Sequence, residues 1–399
     1  MKKILLILLT ILALSCVLIS CGRWKEIDRF EIIDGELIIY YTNGTSQNLG
    51  EVEKDDNFEY YPLSDGTYAI SVDKAIMLSE IEIPSTYRGK AVTQIKENGF
   101  KGATNLKKLT IPSSITKIDK NAFALCSSLT EIHIDSIEAW CNIEFENELS
   151  NPLKIAQNLY VNDELVTNLV IPNTVTEIKD YAFYNCDSLI NITIPKSVTN
   201  IGNSAFANCS SLKNAPIGNG VTSIGEYAFC ACTSLIDIII GNNVTSIGYS
   251  AFGDCESLTD ITIPDSVTSM GKNVFSNCYS LTNVIIGNGV TNIGEYAFSL
   301  CNSLTSVTIG EGVKSIGDHA FYYCRSLTSI VIPDSVTCVD YSVFLGCDSL
   351  TSLTFDDPTG WYITNTEGAT SGRDVDLTNA STNAMYLKDG YGYSYLYKK

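Results

Sequence analysis

Histidine is nearly missing from this chain, which has two in 399 residues, His133 and His319. That scarcity argues against imidazole-based acid–base chemistry and against the common histidine metal sites. No G-x-x-x-x-G-K-S/T loop, H-E-x-x-H helix or G-x-S-x-G elbow occurs, so the local signatures of phosphate-loop, zincin and serine-hydrolase chemistry are lacking. Charge is scarce as well: Asp, Glu, Lys and Arg make up 18 % of the residues, and Ser, Thr and Asn take solvent positions instead. Basic residues are the smaller share, 26 against 45 acidic ones, for a formal charge of −19. A chain of this sign, with no Lys/Arg cluster, repels phosphate backbones and is a poor partner for nucleic acid. What is present is apolar: hydrophobic residues are 45 % of the chain, with 22 Tyr and 14 Phe, too many for disorder over most of its length.

The start of the chain reads as an export signal. Met1-Lys2-Lys3 is a short basic region, residues 4–19 form a 16-residue apolar run, and Ser20-Cys21-Gly22 follows. The run falls short of the roughly 20 apolar residues a membrane span needs. Leu18-Ile19-Ser20-Cys21 resembles the lipobox of bacterial lipoproteins, in which the Cys is acylated and becomes the mature N-terminus. Cys21 fits that pattern better than Cys16, which has Ala13 where Cys21 has Leu18. An ordinary cleaved signal that happens to contain Cys is the plainer alternative. Several acyl chains on one Cys would give stable anchoring, at about 0.8 kcal/mol per buried CH₂. The resemblance implies a lipid-anchored protein of the bacterial envelope, at the outer membrane or cell surface.

Beyond residue 80 the chain is periodic. Phe183, Phe206, Phe229, Phe252, Phe275, Phe298, Phe321 and Phe344 stand 23 residues apart, each followed three residues later by Cys and three later again by Leu. Ile, Met or Val precedes each Phe by five, and two earlier units share the register at Phe100 and Phe123. In the unit beginning at Leu304, the alternation predicts a strand with Val307 and Ile309 inward and Ser306 and Thr308 outward. Pro-Asp-Ser or Gly-Asn-Gly then turns the chain, Val313 and Ile316 cover a second side, and Ala320, Phe321 and Cys324 close the coil. No unit buries these residues alone, so the expectation is a β-rich solenoid of roughly a dozen coils. Its strands would pair in parallel about 4.8 Å apart as one continuous sheet.

These residues resemble the BspA-like bacterial leucine-rich repeats, whose unit has the form L-x-x-I-x-I-P-x-x-V-x-x-I-G-x-x-A-F-x-x-C. The match runs over residues 57–355 and is specific for fold far more than for function. It implies a leucine-rich-repeat solenoid on the cell surface that binds host matrix or surface proteins, glycans or other bacteria.

Around the solenoid, residues 1–21 are the signal and residues 22–56 a small β module and linker, with a hairpin expected at Asn43-Gly44. Residues 356–399 are a β-rich C-terminal cap; a carbohydrate- or wall-binding patch built on Trp361, Tyr362, Tyr386, Tyr391, Tyr393, Tyr395 and Tyr397 is the alternative. Within the repeat, 60 residues separate Phe123 from Phe183 where 23 are expected. The insertion, about residues 135–165, contains Ile137, Trp140 and Cys141 at helical spacing and a hairpin signal at Asn162-Asp163. It reads as an extra structural coil, or alternatively as a ligand-binding protrusion.

The nine Cys of the column share the period of Phe and Leu, so they point inward as buried thiols and not as a disulfide framework. Cys230-Ala231-Cys232 is at most a weak metal or redox pair. Candidate binding residues are those at outward positions of the concave sheet: Glu131, His133, Asn191, Asp237, Ile239, Asp260, Asn283 and Ile285. His133 and His319 fall in distant coils and do not cooperate. Asp237 and Asp260 are neighbours, and a Ca²⁺ bridging them is set against a plain solvated acidic edge; no metal or cofactor is expected. Tyr227, Tyr249, Tyr296 and Tyr322, near the turns, are alternative contacts. The expected function is non-enzymatic binding of a protein or glycan through the concave sheet, with a structural envelope spacer lacking a dedicated ligand as the rival.

Overall fold

The structure is a computed structural model and describes residues 27–33, 36–42, 44–51, 57–72, 78–390 and 394–399. Cys21 and all the residues read as an export signal therefore lie outside the described residues. Each coil has three sides, and the sequence period explains each of them. On the first side the L-x-x-I-x-I stretch makes short strands such as Asp260–Ile263 and Asn283–Ile286, paired in parallel with Ile261 opposite Val284 and Ile263 opposite Ile286. On the second side a two-residue strand, such as Ser246–Ile247 or Ser269–Met270, stacks on its copy in the next coil. On the third side Phe and its neighbours form tight turns whose N–H groups donate to the following coil, as from Phe183 to the Ala205 carbonyl at 2.7 Å.

The core is one column of each apolar type. From Phe183 to Phe344 the rings stack face to face at centroid spacings of 5.2–5.7 Å, within 10° of parallel. Turning the chain around each Phe puts residues two before and two after it in the left-handed region. Asn273 (φ 57°) and Asn277 (φ 62°) suit it, but Tyr227, Leu300 and Tyr323 occupy the same places. The Tyr227 N–H bonds the Tyr249 carbonyl at 2.8 Å, so inter-coil hydrogen bonds offset the strain. The glycine that follows the second strand serves close approach: a Cβ on Gly248 would lie 2.5 Å from the Glu226 nitrogen in the coil below.

The strands of the first side do not form one continuous sheet. They fall into separate ladders, and between them Asn191, Asn214 and Asp237 are joined by isolated bridges. Pro216 supplies a reason. The Ile192 N–H donates to the Asn214 carbonyl at 3.2 Å, and the parallel pattern then calls on residue 216 to donate back, which proline cannot do.

Both ends of the stack are closed by antiparallel structure. At the N-terminal end the hairpin Phe58–Pro62 with Tyr68–Val72 pairs onto Lys90–Ile95 and buries Ala69 and Ile70. At the C-terminal end Tyr395–Lys398 pairs with both Cys338–Val339 and Trp361–Thr364. Trp361 and Tyr362 are buried there, so they belong to the cap's interior and not to an exposed aromatic patch. Ile27–Ile33, Glu36–Tyr41 and Ser46–Glu51 form a three-stranded antiparallel sheet, with Gly44 at φ 79° in the turn; Asn43 lies outside the described residues.

The insertion contains the helix Ile137–Cys141, capped by the Ser136 hydroxyl, and a second short helix, Leu153–Ala156. Trp140 and Cys141 are buried, and the Trp140 indole donates to the Ala182 carbonyl at 2.7 Å. Asn162 and Asp163 both have positive φ, and the strands on either side, Leu159–Val161 and Glu164–Leu165, pair as a hairpin.

Candidate functional site

The outward positions of the strand face form two columns of side chains. The first starts with an asparagine ladder, in which Asn191 Nδ2 donates to Asn168 Oδ1 at 2.7 Å and Asn214 Nδ2 to Asn191 Oδ1 at 2.8 Å. All these donors point toward the N-terminal neighbour, so the next residue must also donate if the ladder is to continue. Asp237 has no donor, and its carboxylate makes no side-chain hydrogen bond or ion pair among the described residues. The ladder restarts one coil later, where Asn283 Nδ2 donates to Asp260 Oδ1 at 2.6 Å. That bond, with the Thr259 and Thr282 hydroxyls, holds the Asp260 carboxyl below the usual carboxylate range. Asn214 Oδ1, Asp237 and Asp260 thus present a row of acceptors to solvent.

The second column mixes aliphatic residues with threonine, alternating strictly only from Ile239 onward: Val170, Thr193, Pro216, Ile239, Thr262, Ile285, Thr308, Val331 and Thr354. Val170 is 64 % exposed and Ile239 62 %, a large fraction for aliphatic side chains. Around the interrupted ladder, Thr193, Pro216, Ile217, Ile239 and Ile240 line a shallow groove of about 440 Å³. The exposed Ile236 stands beside Asp237 in the same coil.

The structure brings Asp237, Ile239, Asp260, Asn283 and Ile285 together on this face, all exposed, with Asn191 half-buried two coils from Asp237. His133 departs from expectation. Its side chain leaves the strand outward but is buried, because the insertion hairpin covers it: Tyr160 stacks on the ring at 4.6 Å, Nδ1 lies 2.8 Å from Asp163 Oδ1, and Nε2 lies 3.0 Å from Glu131 Oε2. Its polar capacity is used within the chain, and Glu131 is partly engaged with it. The signal for this was the hairpin motif, which does not state where the hairpin folds back.

His319 stacks on Tyr296 at 4.7 Å on the phenylalanine side, and burial lowers its pKa. Tyr227 and Tyr249 pack edge to face at 5.1 Å on that same side, away from the strand face. Among the described residues no group of three or more His, Cys, Asp or Glu is arranged to hold a metal ion, so Asp237 and Asp260 have no third acidic ligand. The described cysteines are free. No helix among the described residues is long and apolar enough to cross a membrane.

Among solved structures, a leucine-rich repeat protein from Bacteroides ovatus is 24 % identical, with a TM-score of 0.49 over 76 % of this chain and 88 % of that one. A leucine rich cell surface protein from Faecalibacterium prausnitzii is 24 % identical, with a TM-score of 0.39 over 77 % and 95 % of the two chains. The pneumococcal vaccine antigen PcpA is 16 % identical, with a TM-score of 0.45 over 84 % and 83 %. No curated protein matches the chain. The family model for the BspA type leucine rich repeat region matches in six copies, over residues 73–151, 153–282 and 268–360. Those matches take in most of the chain and coincide with the stacked coils, and the protein belongs to the BspA-type leucine-rich-repeat family.

Proposed function

We propose that this protein is a cell-surface binding protein of the adhesin kind, lipid-anchored through Cys21, that holds a protein partner on the strand face. The observation that carries this reading is the pairing of an exposed acceptor row, Asn214 Oδ1, the unengaged Asp237 carboxylate and Asp260, whose Oδ1 is held by Asn283, with the exposed aliphatic residues Ile236, Ile239 and Ile285 and the groove at Pro216. Neither feature is required by the fold: Asp237 interrupts a ladder that asparagine would continue, and Ile239 leaves 62 % of its surface to solvent. A partner segment with a Lys or Arg beside an aliphatic side chain satisfies both, and the chain's charge of −19 steers such a basic segment inward.

The test is saturable binding of residues 22–399, which contain every described residue, to a panel of host matrix proteins and glycans. A parallel variant carries Asp237→Ser, Ile239→Ser, Asp260→Ser and Ile285→Ser. Binding that weakens at least tenfold in the variant, about 1.4 kcal/mol, and that weakens with added salt supports the reading. Binding that survives moves the site to the insertion, the turns or the cap. No binding, together with concentration-dependent assembly, favours the spacer. For the anchor, full-length protein with Cys21→Ala is expected to leave the membrane fraction and lose its incorporated fatty acid.

A further inference from the structure

The groove of about 440 Å³ on the strand face opens where Pro216 leaves its coil without a hydrogen bond to the coil before. Three consecutive coils line it, through residues 193–194, 216–219 and 239–242. The turn glycines show that the opening is local. A Cβ on Gly241, Gly287 or Gly310 would lie 2.5, 2.6 or 2.7 Å from backbone of the preceding coil, so close stacking requires glycine at each of them. At Gly218 the nearest atom to such a Cβ is the Ile194 carbonyl oxygen, at 3.9 Å, an ordinary contact. Its φ is not in the left-handed region either. Neither packing nor backbone conformation demands glycine at 218. Its missing side chain leaves the groove open.

The lining narrows the occupant. It contains no charged and no aromatic side chain. Pro216, Ile217 and Ile239 make it aliphatic, while Thr193, Asn219 and Asn242 are polar and exposed. Asn219 is engaged: its Oδ1 accepts from the Asn242 N–H at 2.8 Å and its carbonyl from Asn243 Nδ2 at 2.7 Å. The exposed Asn242 amide makes no side-chain hydrogen bond among the described residues. Two steps between coils, about 9–10 Å at the usual strand spacing, make the groove longer than one aliphatic side chain. With no ring to stack on, the C–H face of a sugar gains little here. A flat apolar body with a polar edge suits the lining, and among protein side chains that is tryptophan. Charge changes sign along the stack at this point. Lys196 and Lys213 stand in the first two lining coils, Asp237 and Asp260 in the third and the one after it. The unengaged Asp237 lies two residues from Ile239, and residues two apart in an extended segment share a face. Resting on the strand-face reading above, we propose that the groove anchors one tryptophan side chain of the protein partner. Gly218 keeps it open, and a Lys or Arg two residues away in the partner's extended segment meets Asp237.

Ligand-observed NMR titration of residues 22–399 with the peptide Ac-Trp-Ser-Arg-NH₂ tests this directly. Saturable binding is expected, at least fivefold weaker for Ac-Leu-Ser-Arg-NH₂ and for Ac-Trp-Ser-Glu-NH₂; this comparison needs no variant. Gly218→Leu, whose side chain enters the open space, should abolish binding, with thermal unfolding establishing that the fold is retained. Asp237→Ser should remove the preference for the arginine peptide over the glutamate one. Glu311→Ser, at an exposed turn position three coils beyond Asn242, should change nothing. Absence of saturable binding by the tryptophan peptide overturns the proposal. So does equal affinity for the tryptophan and leucine peptides, or binding that survives Gly218→Leu. The panel of matrix proteins separates the groove from the wider face. Partner binding lost in the four-residue variant but intact in Gly218→Leu leaves the strand face as the site and removes the groove from it.

Discussion

From Cys209 to Cys347 each column thiol donates to the carbonyl of the phenylalanine 26 residues earlier, at 3.1–3.3 Å, and Cys126 does the same at 3.0 Å. The sequence predicted small buried hydrophobes at these positions; the structure adds a hydrogen bond, which satisfies a carbonyl turned toward the core. Burial pushes the Cys126 thiol up to about 11 and the Cys186 thiol up to about 12, so both stay protonated and unreactive at neutral pH. In residues 22–399 the column is expected to be silent toward a thiol reagent under native conditions, with the half-buried Cys230 and Cys338 labelled first and all 12 titrating after denaturation. Fewer than 12 under denaturing, non-reducing conditions would reveal disulfides. Replacing Cys255→Ala should lower stability by about 0.5–1.5 kcal/mol, measured by urea unfolding, since the buried Phe229 carbonyl loses one of its two donors and keeps the Cys232 N–H at 3.3 Å.

At the scale of elements, the insertion hairpin closes over His133 and holds its ring between two carboxylates. Nδ1 lies 2.8 Å from Asp163 Oδ1 and Nε2 lies 3.0 Å from Glu131 Oε2, while Tyr160 covers the ring's face. The His133 bond, then Lys108, holds the Asp163 carboxyl below the usual carboxylate range. A depressed carboxylate contributes stability above its unfolded pKa of about 3.9, and that contribution is lost as pH falls through the lower folded value. Because Asp163 is largely exposed, the effect belongs to the hairpin and not to global stability. Hydrogen-exchange protection of the Val166 N–H, bonded to the Leu159 carbonyl at 2.8 Å, is expected to drop on acidification below that range. In Asp163→Asn the protection should be lower at neutral pH and lose this acid dependence. Equal pH profiles for the two proteins would show that the ion pair does not clasp the hairpin.

For the whole molecule, stability is a sum over neighbouring coils, so damage at the centre divides the stack. Phe252 has no exposed surface and stacks on Phe229 at 5.5 Å and Phe275 at 5.3 Å. Phe252→Ala is expected to cost about 3–5 kcal/mol and to broaden or split the unfolding transition seen by calorimetry. A sharp, unshifted transition would mean that the coils do not transmit their stacking.

The sequence by itself determined the coil. A strict period of 23 residues requires Phe, Cys, Leu and Ile to form stacked columns, because no unit can bury them alone. The tertiary structure decided what that period does not encode. Pro216 removes a donor whose partner lies one coil away, so the interruption shows only once the coils are in register. The asparagine ladder and its halt at Asp237 likewise depend on donor directions between coils. His133 is hidden by residues some 30 positions later, and Asn383 lost its solvent when the cap closed over it. A periodic pattern specifies contacts repeated along the chain, while contacts made once, by an insertion or a cap, exist only in the folded arrangement.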